Sequence, residues 1–71
     1  MKDSIVYREI VGRIAMLGMR RRDVAEKLQI TYGTLHNKLC GITPFTLPEA
    51  LQLMELLQLR DINTAFRRFD Q

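Results

Sequence analysis

The chain has 71 residues, 46% of them hydrophobic, with 11 Lys and Arg against 8 Asp and Glu for a formal charge of +3. That is one domain, too apolar for disorder and near the lower size limit for folding without a metal or disulfides. A single cysteine excludes an internal disulfide and a CxxC-type zinc site, and the charged start MKDSIVYREI is neither signal peptide nor membrane span, so a soluble cytoplasmic protein is expected.

In chain order, Val6, Ile10, Ile14 and Leu17 keep the spacing of one helical face, which predicts helix one over 4–17. Asp3 or Ser4 can cap its start and Gly18 suits its end. Helix two runs from about Arg21 to Leu28, with Val24, Ala25 and Leu28 facing inward. QIT is the joint, and the Thr31 hydroxyl can accept from an amide at the start of helix three. That helix spans about 32–40, with Leu35 and Leu39 inward, Cys40 closing its end and Gly41 stopping it. The turn TPFT places Phe45 as a core plug. TLPE at 46–49 is a capping box, and Pro48 is tolerated because a first-turn amide has no helical partner. Helix four continues to about Gln58, with Ala50, Leu51, Met54 and Leu57 inward. Asp61 can cap a last short helix carrying Ile62, Ala65, Phe66 and Phe69. Met16, Met19 and Met54 read as core or near-core filling. No stretch alternates at period two, so the expected fold is all-α, a compact bundle of five short helices.

Charge is uneven along the chain. Residues 1–41 hold eight Lys and Arg against four Asp and Glu, whereas 42–71 hold three against four. A basic face on a small domain is the footprint of a polyanion binder. Arg20, Arg21 and Arg22 crowd the start of helix two, where the helix dipole disfavours cations, so an anionic partner is expected there. The pair 21–28 and 32–40 has a small residue, Ala25, for a close crossing and a joint short enough to force a steep one. Helix-turn-helix DNA binders use this arrangement to hold a helix out into the major groove.

The stretch DVAEKLQITYGTLHNKLCG, followed by PFTLPEALQLMELLQL, resembles the phage repressor and Cro-type helix-turn-helix family over about residues 5–66. The second stretch looks like a phage-regulator subgroup with the pattern "tL..KL.G" then "FT..E". The resemblance implies a lambda repressor-like DNA-binding domain that regulates transcription from a double-stranded operator, often as a dimer, in a bacterial or phage-infected cell. It implies base contacts from Tyr32, Gly33, His36 and Asn37, with Asn37 suited to adenine, His36 to guanine or phosphate, and Tyr32 to a thymine methyl or phosphate. At Gly33 the backbone itself would approach the DNA. Phosphate contacts fall to Arg20, Arg21 and Arg22, assisted by Thr31, Thr34, Lys38 and Thr43. Ile62, Phe66 and Phe69 form a candidate dimer patch; the alternative is that Ile62 and Phe66 cap the core while Phe69 frays. Two positions depart from the family: Gln29 stands in the joint, where glycine is usual, and Gly33 stands where a polar side chain is more common. Either Gln29 takes a left-handed backbone, at a cost of about 1 kcal/mol, or the turn differs slightly.

The competing reading is a degenerate helix-turn-helix that binds another regulator rather than DNA. An enzyme is not expected: there is no acid–base constellation or phosphate-cradling glycine loop, and the chain is too short for a deep pocket. His36 and Cys40 stand four apart but lack a second pair of ligands, so no metal is expected, nor a cofactor or small-molecule ligand.

Overall fold

Residues 5–7 enter outside any helix, because the amides of Val6 and Tyr7 are taken by a tertiary partner. In the computed structural model, which describes residues 5–69, the amides of Val6 and Tyr7 both donate to the Leu39 carbonyl, at 2.9 and 3.3 Å. The first helix therefore begins four residues later than its apolar spacing suggests. Five helices follow: α1 (Arg8–Met16), α2 (Arg21–Lys27), α3 (Tyr32–Leu39), α4 (Leu47–Leu56) and α5 (Ile62–Ala65). Among the described residues there is no strand, and none of the helices is long and apolar enough to cross a membrane. The caps expected at Asp3 or Ser4 lie outside the described residues.

The first four helices end in one way. The residue after the C-cap adopts a left-handed backbone, and the next amide reaches back to the third-last helical carbonyl. These left-handed residues are Gly18 (φ 72°), Gln29 (φ 60°), Gly41 (φ 79°) and Gln58 (φ 57°). The closing bonds run from Met19 to Ile14, Ile30 to Ala25, Ile42 to Asn37 and Leu59 to Met54, at 2.8–3.1 Å. Gln29 thus takes the strained conformation expected of the joint, and Gln58 repeats it.

Val6, Tyr7, Ile10, Ile14, Val24, Ala25, Leu28, Leu35, Leu39, Leu53 and Leu57 make the core. Within it α2 packs on α3, and α1 on α5. Tyr7, Phe45 and Phe66 close one side edge to face, with centroids 5.3–6.0 Å apart. Arg13 ties α1 to the end of α4, its Nε donating to the Leu57 carbonyl at 2.8 Å and its Nη2 to that of Gln58 at 3.3 Å. Three inward assignments are corrected. Leu51 is exposed and Leu53 is the buried residue, because α4 is apolar on several sides and packing selects the Ala50, Leu53 and Leu57 face. Met16 is exposed, since it stands opposite Ile14 around α1. Leu17, at the C-cap, is also largely outside.

Candidate nucleic-acid interface

At 100° per residue, α3 divides into two arcs. Leu35, Lys38 and Leu39 point inward and are buried. Tyr32, Gly33 and Asn37 are exposed, with Thr34 and His36 half-buried at the edges. The start of α3 is fixed by Thr31, whose hydroxyl accepts from the Thr34 amide at 3.1 Å and lies 2.8 Å from the Thr34 hydroxyl. Two hydroxyls joined by one bond leave one O–H to donate outward. His36 leans along the helix, with Nε2 3.6 Å from the buried Cys40 sulfur. Thr43 lies just past α3, with its amide 3.4 Å from the Asn37 carbonyl, and its side chain is half-buried.

The arginines and Tyr32 meet in one place. An open cleft of about 440 Å³ has a floor of Val11, Ile14, Ala15 and Met19 and a rim of Arg20, Arg21, Arg22 and Tyr32. Arg20 is the N-cap of α2. Asp23 Oδ2 accepts from its amide at 3.3 Å and from its Nε at 3.4 Å, an exposed and weak pair. Among the described residues nothing pairs with Arg21 or Arg22. The rim is therefore a positive edge beside the polar face of α3.

Lys38 does not belong to that edge. Its side chain is only 7% exposed, its Nζ lies 2.9 Å from Glu49 Oε1, and it donates to the Pro44 carbonyl at 3.0 Å. It also stands 5.9 Å from the centre of the Phe45 ring. Lys38 is an internal tie between α3 and the start of α4, its ammonium buried and engaged by Glu49 and Pro44. Lys38 shares the i, i+3, i+4 face of Leu35 and Leu39, but lysine is ordinarily exposed, so the spacing alone does not place it inside.

The candidate dimer residues do not present one apolar patch. Phe66 faces in, within the aromatic group. Phe69 donates its amide to the Val6 carbonyl at 2.7 Å, and its ring lies between the guanidinium groups of Arg8 and Arg67, 5.6 and 5.4 Å from the centroid. Only Ile62 is an exposed apolar side chain, and Ile42, Leu47 and Leu51 are more exposed than it is. The arginines around Phe69 and Tyr7 carried no sequence signal beyond the charge count. Among the described residues no group of His, Cys, Asp or Glu is arranged to hold a metal ion.

Comparison with protein-family models, with curated proteins and with solved structures found no match to this chain.

Proposed function

We propose that this protein is a sequence-specific, double-stranded DNA-binding transcriptional regulator of the phage repressor and Cro type. In this reading α3 enters the major groove. The observation that carries it is a polar, outward α3 face whose first residue, Tyr32, shares a cleft with Arg21 and Arg22, which have no ion pair among the described residues. An α-helix with its side chains is about 10–12 Å across, which matches the width of the groove. Leu35 and Leu39, both fully buried, hold the helix while its other face stays free. Asn37 supplies a bidentate donor and acceptor for adenine, and Tyr32 offers a ring edge and a hydroxyl. Arg21 and Arg22 neutralise phosphates, with Arg20 adding to the field. Occupancy of an operator then blocks or recruits polymerase nearby, in the cytoplasm of a bacterial or phage-infected cell.

The test is selection from a random duplex pool at near-physiological salt. An enriched sequence is expected, as an inverted repeat if two copies bind together. Asn37→Ala should then cost about 1–3 kcal/mol on the enriched duplex and relax one position of it. Retention of DNA only at low salt, without enrichment, would overturn sequence-specific reading. The competing reading, a module for another regulator, is favoured by one observation. Leu47 and Leu51 stand one turn apart on α4, exposed at 67% and 55%.

A further inference from the structure

Gly33 is the second residue of α3 and lies in its outward arc, between the directions of His36 and Asn37. Among the described residues nothing requires glycine there. Its backbone is not left-handed, and a methyl group at its position would meet nothing within 4 Å. Gly41 shows what an internal requirement looks like: φ is 79°, and a methyl there would meet Arg68 at 2.7 Å and Val6 at 3.0 Å. Glycine in a helix favours the unfolded chain, so Gly33 weakens the fold for no gain visible within it.

Gly12 provides a matched comparison. It too is exposed, helical and unobstructed, in the middle of α1. It lines a separate hollow with Glu9, Arg13, Met16 and Leu59, away from the cleft of Tyr32 and the arginines. The two glycines are alike inside the chain and differ in what they face.

We infer that Gly33 is a close-approach point for DNA. The bare backbone lets α3 settle against the base edges, so that Tyr32, His36 and Asn37 reach bases around it. The inference rests on the DNA-binding reading and deepens it. A methyl group that lifted the helix by roughly half an ångström would stretch a hydrogen bond of about 3.0 Å to the limit at which it is lost. Specific contacts fail first, while phosphate contacts from flexible arginines adjust. Gly33 therefore positions the reading side chains rather than reading a base itself.

The experiment compares the wild-type protein with Gly33→Ala and Gly12→Ala on two probes, the duplex enriched by the wild type from a random pool and a random-sequence duplex of equal length. Both substitutions should raise Tm, by roughly 2–8 °C. Gly33→Ala should lose about tenfold or more in affinity for the enriched duplex and far less for the random one, whereas Gly12→Ala should bind both as the wild type does. Wild-type affinity of Gly33→Ala for the enriched duplex would overturn the inference alone. So would an equal loss in Gly12→Ala, which would trace the effect to stability and not to contact. A wild type that enriches no sequence would overturn the DNA-binding reading, and the role of Gly33 with it.

Discussion

The starts of α4 and α2 solve the same problem in opposite ways. Every helix begins with amides that have no helical partner and with a partial positive charge. At α4 both are answered from within: Glu49 Oε1 accepts from the Thr46 amide at 2.9 Å, Pro48 contributes no amide, and the Thr46 hydroxyl accepts from the Glu49 amide at 3.4 Å. The remaining charge of Glu49 is met by Lys38. At α2 no hydroxyl caps the helix, Asp23 alone accepts, and three arginines add positive charge where it is least welcome. The contrast separates two tasks. One helix start locks the fold, while the other sets three arginines against Asp23 at the surface, beside the face of α3 that the fold does not use.

The largest expected effect lies at the closed start. Lys38→Ala should destabilise the protein by about 3 kcal/mol, because it leaves Glu49 largely buried without its cation and cuts the tie to the Pro44 carbonyl. Glu49→Ala should cost a similar amount. The double variant should cost less than the sum, which urea unfolding of all four proteins would reveal. Full additivity would mean that the pair is not coupled. The same site sets an acid limit. The Thr46 amide first, and then Lys38, holds the Glu49 carboxyl below its ordinary value of 4.5 against the opposing effect of burial. A lowered folded-state pKa contributes stability that is present above the unfolded value and lost as pH falls through the folded one. Stability should therefore decline below about pH 4.5, and less steeply in Glu49→Gln. Asp61 contributes in the same direction, because the Thr64 hydroxyl and the Asn63 amide favour its charged form.

This lock was half legible in the sequence. TLPE announces its capping box from spacing alone, and Thr31 its cap, since both depend on residues within one turn. The partner of Glu49 was not read, because an inward lysine becomes credible only once Pro44, Phe45 and Glu49 are seen around it. The same division runs through the rest of the chain. Gly18 and Gly41 mark helix ends by their chemistry, whereas Gln58 takes the same left-handed backbone without any residue-level sign. Val6 and Tyr7 precede the first helix because their amides bond to the Leu39 carbonyl, a contact more than thirty residues away. In α4, leucines on several sides leave the inward face undecidable from period, and only packing separates the buried Leu53 from the exposed Leu51. The outward face of α3 was legible as the complement of Leu35 and Leu39. Which arginines stand beside it depends on how α1 and α2 meet.

A smaller effect, of opposite sign, is expected at the open start. Arg20→Ser supplies the missing hydroxyl opposite Asp23, completing a capping box, and removes one cation from the dipole. Only an exposed pair at 3.4 Å is lost. Stability should rise by about 1 kcal/mol, measured by urea unfolding. Thr46→Ala at α4 should cost only about 0.5 kcal/mol, since the stronger 2.9 Å bond there is accepted by Glu49 and survives. If Arg20→Ser proved destabilising, the start of α2 would have to be satisfied in some way other than through Asp23, and the contrast between the two helices would fall.

Arg21→Ala should change stability least and binding most informatively. Among the described residues Arg21 has no ion pair to lose, and a cation leaves the positive end of α2, so the folding free energy should stay within about 0.5 kcal/mol. If its guanidinium meets a phosphate, the dependence of log K on log salt should lose about 0.9 of slope per protomer, for enriched and random duplexes alike. An unchanged slope would remove Arg21 from the interface. A changed slope with unaltered sequence preference would separate the arginines that hold the backbone from the α3 residues that read it. That division of labour is what the proposed function asks of a basic helix start beside a free helical face.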